Sequence, residues 1–217
     1  MDSKQHAEFV RASVKPAFGR KKSLPSKYVP LYPKNAEREM KSMVNAYMKI
    51  LRKEVYDSLP ELMEAYQKTK RTDSREDGFF DLTQEIGRIF QKIGAGLEKK
   101  LAAFGLKKKV QKVAEGTKNT AFQEWKRCVQ KTVGLDLIDS YYTKDFYSGV
   151  MQPWIDNSVS AIQSIPQQEL GAMRDIISDG FRKDKPIADI AKEIRAEYKT
   201  SVGKAYFLAR DQIGTLN

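Results

Sequence analysis

Nine apolar residues recur at steps of three, four and one between Phe79 and Phe104, a spacing that commits this segment to a long amphipathic helix. The series Phe79, Leu82, Ile86, Ile89, Phe90, Ile93, Leu97, Leu101 and Phe104 ends at Gly105, a residue able to take the left-handed conformation that stops a helix. Gly87, Gly94 and Gly96 each weaken it by about 1 kcal/mol relative to alanine, so their use is close helix approach or a bend. A second long helix follows, with Val110, Val113, Thr117, Ala121, Phe122, Trp125 and Val129 as its inner face and Gly134 beyond its end. The short turn between the two predicts a long antiparallel hairpin.

Upstream, Met40, Met43, Val44, Tyr47, Leu51 and Val55 share one helical face, and Glu37 and Glu39 stand in its first turn, where carboxylates favour the helix dipole. Ser58-Leu59-Pro60-Glu61 has the form of a capping box and predicts a new helix through Leu62, Met63 and Tyr66, with Lys68 to Asp77 as a loop. The last third reads as short helices. Pro153 opens one holding Trp154, Ile155, Val159 and Ile162, and Ser164-Ile165-Pro166-Gln167 caps another running through Leu170, Met173, Ile176 and Ile177 toward Gly180. Pro186 starts Ile187, Ile190, Ala191, Ile194 and Tyr198, and Ser201 caps a final segment with Ala205, Phe207, Leu208, Arg210 and Ile213. Only short pieces such as Leu135 to Tyr142 carry any strand-like ambiguity. The expected fold class is mainly α: an elongated helical bundle with a long antiparallel hairpin and a basic, largely extended N-terminal arm. The expected divisions are an arm over 1–33, a helical region with the hairpin over 34–134, and a helical region over 135–217.

With 217 residues and 41% hydrophobic content the chain can build a core. One cysteine, Cys128, and one histidine, His6, exclude an intramolecular disulfide and a Cys/His zinc site within one copy. His6 lies in the basic tail, away from any rigid frame that would orient an imidazole for catalysis. Gly94-Ala95-Gly96 lacks the third glycine and preceding strand of a phosphate loop, and Asp136 and Asp139 have no supporting constellation. No enzyme activity and no cofactor are expected. No apolar run nears the roughly 20 residues of a membrane span, so the chain reads as soluble, without membrane contact, and made in a reducing compartment.

The formal net charge of +11 directs attention to polyanionic partners. It falls in two places. Residues 1–33 hold Lys4, Arg11, Lys15, Arg20, Lys21, Lys22 and Lys27 against Asp2 and Glu8, with Pro16, Pro25, Pro30 and Pro33 interrupting helix. Such an arm can wrap a partner or contact nucleic acid; the alternative is a solvated terminus. The hairpin holds Lys99, Lys100, Lys107, Lys108, Lys109, Lys112, Lys118, Lys126, Arg127 and Lys131 against Glu98, Glu115 and Glu124. Candidate contacts to DNA or an acidic protein are Arg11, Lys15, Arg20, Lys21, Lys22, Lys107, Lys108, Lys109 and Lys112. Against this stands a solvated helix face, since no aromatic residues interleave with the lysines as a stacking platform requires.

The C-terminal part carries Trp154-Ile155-Asp156-Asn157, Ile162-Gln163-Ser164-Ile165-Pro166, Ser178-Asp179-Gly180-Phe181, Pro186-Ile187-Ala188-Asp189-Ile190-Ala191 and Leu208-Ala209-Arg210-Asp211-Gln212, with Leu216-Asn217 last. From about Gln152 to Asn217 these motifs, in this order, resemble the minor head proteins of tailed bacteriophages, and more specifically the phage Mu F-like head morphogenesis family. Lys34 to Pro60 resembles the helical entry of such proteins. The resemblance implies a structural role in the virion at or near the portal vertex, during head assembly or DNA packaging in the host cytoplasm. It implies a low-copy protein, present in multiple copies per particle and in contact with portal or major capsid protein, with packaged DNA touched by the basic segments. Trp154, Pro166, Gly180, Arg210 and Asp211 are the family-motif positions, and Arg210 and Asp211 also admit a plain helix-surface ion pair or packing role. The family's Ala-Arg-Asp segment is normally followed by an Asp-Arg-Arg-His type of signature that this sequence does not reach, so no activity of that region is carried over. The sequence ends while still reading as helix, which suggests the N-terminal portion of a longer head protein. The competing reading is a free-standing basic helical DNA-binding protein.

Overall fold

The stripe that begins at Met40 does not stop at Pro60. Val55, Leu62 and Tyr66 continue it in register, and all three are buried, so tertiary packing on both sides of the proline holds one helix from Lys34 to Lys70. A computed structural model describes residues 3–70, 75–135 and 148–216. They contain six helices: α1 (Ser3–Phe18), α2 (Lys34–Lys70), α3 (Arg75–Ala103), α4 (Leu106–Val133), α5 (Ser148–Arg182) and α6 (Ile187–Leu216). The protein is mainly α, as the periodicities predict, with no strand among the described residues. Asp136, Asp139, the ambiguous Tyr142 segment and the side chains of His6 and Phe79 lie outside what is described.

Three proposed helix starts are interior positions. Pro60 lies within α2, and Pro153 and Pro166 within α5. The serines that looked like caps turn backwards: Ser58 Oγ donates to Glu54 O at 3.0 Å and Ser164 Oγ to Ala161 O at 2.9 Å, each bonding the preceding turn instead of capping a new one. Ser201, also read as a cap, is buried within α6. The loop assigned to Lys68–Asp77 is helical at both ends, residues 68–70 closing α2 and 75–77 opening α3.

Gly105 stops α3 as expected, at φ 67° and ψ 39°, and the same left-handed residue begins α4. The hairpin does not form, however. α3 packs against α2 and α5, while α4 packs against α2, α5 and α6, and the two successive helices scarcely touch. Their apolar stripes explain this. On α3 the stripe Leu82, Ile86, Ile89, Phe90, Ile93 and Leu97 runs nearly end to end, but on α4 Leu106, Val110, Val113, Ala114 and Thr117 fill mainly the first half. Trp125, assigned to the inner face of α4, is 41% exposed. The closely paired neighbours are α2 with α3 and α5 with α6, and α2 touches each of α3 to α6. One continuous core results, from Met40, Tyr47, Met48 and Leu51 through Ile89 and Leu97 to Ile162, Met173, Ile177 and Ile213.

α5 passes through Gly180 and ends at Arg182. Its stop uses Asp184, at φ 54°, where Lys185 N–H bonds Gly180 O at 2.9 Å and Asp184 N–H bonds Phe181 O at 3.2 Å. This is a Schellman ending with aspartate in the position glycine usually holds. Tyr66 donates its hydroxyl to Asp184 Oδ1 and stacks its ring on Phe181 at 4.2 Å, tying the corner to the end of α2.

The α5–α6 seam also buries a carboxyl. Glu169 is 2% exposed, accepts a hydrogen bond from Ser201 Oγ through Oε2, and leaves Oε1 without a partner among the described residues. Burial pushes its pKa above the ordinary glutamate value, against the lowering effect of the Ser201 hydroxyl. A carboxyl whose folded pKa is raised contributes stability that is complete below the unfolded pKa and lost as pH rises through the folded one. Glu169→Gln, which can keep the Ser201 contact without a charge, is expected to gain on the order of 1 kcal/mol near pH 7 and nothing near pH 4. Urea unfolding of both proteins across that range is the check; an equal pH slope in the two would refute it.

Candidate functional site

Residues 1–33 were expected to be a basic, largely extended arm, and the structure divides them. Ser3–Phe18 forms α1, with Pro16 in its last turn, where the missing N–H interrupts only the end of the helix. Beyond it, residues 26–32 form a strap laid along the second half of α4. The anchor is Glu124, 4% exposed: Oε2 accepts the Tyr28 hydroxyl at 2.5 Å and the Leu31 N–H at 2.8 Å, and Oε1 pairs with Arg127 at 2.5 Å. The Tyr28 hydroxyl, with the Leu31 amide behind it, holds the carboxyl below the ordinary glutamate range. Lys27 N–H bonds Thr132 Oγ1 at 3.2 Å, Ser26 Oγ lies 3.1 Å from Cys128 Sγ, and Lys131 sits over the Tyr28 ring at 5.6 Å. The sequence shows Glu124 as one carboxylate among the hairpin lysines and gives no signal for Tyr28. The legible signal was a carboxylate at a stripe position of α4, seven residues beyond Thr117.

The arm's candidate contacts are all exposed: Arg11 and Lys15 on α1, and Arg20, Lys21 and Lys22 in the segment that follows. The other set, Lys107, Lys108, Lys109 and Lys112, stands toward the opposite end of α4, roughly 18–25 Å from Glu124 at the rise of an α-helix. On α4 the strap anchor and the lysine cluster thus occupy opposite halves of the helix.

The first turn of α4 contains no acidic residue and three lysines. Cations there face the positive end of the helix dipole, an arrangement that costs about 0.3–1 kcal/mol per charge at an exposed position. Lys107 is answered by Asp156 at 2.8 Å, and the Gln152 amide and Lys107 together lower the Asp156 pKa. Lys109 lies over the Phe104 ring at 5.0 Å. Lys108 and Lys112 are exposed, and among the described residues neither has a carboxylate partner.

The motif positions of the C-terminal part separate into packing and surface residues. Trp154, Pro166 and Gly180 are buried, whereas Arg210 and Asp211 are exposed near the end of α6. Trp154 donates its indole N–H to Gln212 O at 2.9 Å, and Ser158 Oγ donates to Gln212 Oε1 at 2.7 Å, joining the beginning of α5 to the end of α6. Among the described residues no group of acidic, cysteine or histidine side chains is arranged to hold a metal, and no helix is long and apolar enough to cross a membrane. No protein family, curated protein or solved structure matches the chain.

Proposed function

We propose that the chain is a structural minor head protein of the tailed-bacteriophage type, without catalytic activity, acting at or near the portal vertex during head assembly and DNA packaging. In this reading its helical faces meet portal or major capsid protein in multiple copies per particle, and its basic segments touch packaged DNA. It would reside in the virion, after assembly in the host cytoplasm. The motif order from Trp154 to Gln212 supports the family part of this reading. The observation that carries the polyanion contact is the first turn of α4, where three lysines crowd the positive end of a helix and Asp156 alone is paired with them. An external anion would offset that repulsion.

The test has two parts. The protein should co-purify with procapsids or portal at moderate salt, and failure to do so would remove the head-protein reading. Lys108→Gln/Lys112→Gln should lower the slope of log affinity for duplex DNA against log salt by about 2, as two phosphate contacts require. An unchanged slope would exclude these lysines from DNA contact. Tight, steeply salt-dependent binding to DNA by a protein that ignores procapsids would favour the free-standing DNA-binding alternative.

A further inference from the structure

A further concentration of positive charge lies where the strap enters α2, and of its basic residues only Arg210 was singled out in the sequence. Tyr32, Lys34, Glu37, Arg38, Lys41 and Arg210 surround a depression of about 430 Å3. The residues come from distant parts of the chain: Tyr32 from the strap, four from the first two turns of α2, and Arg210 from α6. The Tyr32 hydroxyl donates to Arg210 O at 3.3 Å and so fixes the strap against α6. Glu37 is engaged by Lys41, and that hydrogen bond, with help from the Tyr32 hydroxyl and the Arg210 charge, holds its carboxyl below the ordinary range. Among the described residues, none of Lys34, Arg38 and Arg210 has a carboxylate within salt-bridge distance, and Arg210 acts on Glu37 only through its field.

Four cations around one committed carboxylate leave a surplus of three positive charges in one concavity. Each repels the others at short range, and folding brings Arg210 to the cluster without supplying an internal counter-ion. Two guanidinium forks and an ammonium group suit a tetrahedral oxyanion better than a single carboxylate, because several oxygens can each accept a charge-assisted bond. The start of α2 adds the positive end of a helix dipole to the same side.

We propose that this depression is a phosphate-binding pocket, with Arg38, Arg210 and Lys34 as the binding groups, Lys41 as a further positive charge, and Tyr32 holding the strap that forms one wall. The site lies apart from the Lys108–Lys112 surface and does not rest on the head-protein reading. Its phosphate belongs either to a small phosphate compound or to a nucleic-acid backbone.

The experiment titrates inorganic phosphate into the full chain at constant ionic strength, following arginine side-chain NH resonances by NMR. Saturable shifts are expected at Arg38 and Arg210 but not at Arg174 and Arg182, whose carboxylate partners are Asp175 and Asp179. Arg38→Gln and Arg210→Gln should each weaken binding about tenfold, and Lys108→Gln should leave it unchanged. Both arginines are exposed, so the variants are expected to keep the wild-type circular dichroism. Shifts no larger than those in matched chloride, or equal affinity in wild type and both arginine variants, would overturn the pocket. Adding a short DNA duplex then separates the sources: displacement of phosphate identifies a backbone phosphate, and persistence identifies a small phosphate compound, with the pocket upheld in either case.

Discussion

Replacing Trp154 by alanine is expected to lower the unfolding free energy by about 3–5 kcal/mol, a large share of the stability of an ordinary domain. The indole is 8% exposed, belongs to the common core, and sits in α5 close to its N-terminal end. Its N–H reaches Gln212 O at 2.9 Å, with Thr215 Oγ1 at 3.3 Å, in the last turns of α6. Truncation therefore opens a cavity and also removes a tie between the two ends of the α5–α6 pair. Trp154→Phe separates these contributions, because it retains most of the ring packing and loses the donor; its cost is expected to be about 1–2 kcal/mol. Denaturant unfolding followed by far-ultraviolet circular dichroism measures both. A Trp154→Ala cost below that of Trp154→Phe would contradict this packing role.

The same residue illustrates what was legible in the sequence. A tryptophan standing in a helical apolar stripe is visible as a core residue by spacing alone, and so are Ile162, Met173 and Ile177. The helical character of α2 to α6 follows from such stripes together with the glycine stops at Gly105 and Gly134, both at positive φ, whereas α1 has no such stripe and was expected to be extended. Proline and serine punctuation misled where it competed with register. Across Pro60 and Pro166 the stripe never shifts face, and burial of Leu62, Tyr66, Met173 and Ile177 outweighs the hydrogen bond that each proline forfeits. Pairing was less legible than helix content. Adjacent helices often pack together, but a stripe records only that a face is buried, not which partner buries it. The strap and the phosphate pocket were hidden for a related reason, since Glu124 with Tyr28 and Arg210 with Lys34 meet only once the chain has folded.

Gly180 shows how far a residue chosen as a helix stop can depart from that role, and Gly180→Val is expected to destabilise the protein by about 3 kcal/mol. The glycine lies inside α5 in the turn that precedes Arg182, and its backbone carries no positive φ. Its constraint is steric. A Cβ built there would lie 2.6 Å from both Cγ1 and Cδ1 of Ile190, which is itself 4% exposed on the facing helix α6. Ile190 is branched at Cβ and enclosed, so rotating its side chain away costs packing of its own. In a helix, valine is little better than glycine in intrinsic preference, and the overpacking dominates. Alanine tests the balance more sharply, because its helix preference gains about 1 kcal/mol over glycine while its single methyl meets the same contact. Gly180→Ala should therefore be neutral to destabilising in the wild-type background. In an Ile190→Ala background, where the contacting atoms are gone, the same change should become stabilising by about 1 kcal/mol. The four proteins of this cycle, unfolded in urea under one set of conditions, give the coupling directly. A Gly180→Ala effect that is the same in both backgrounds would mean that the close approach of α5 to Ile190 does not require the glycine.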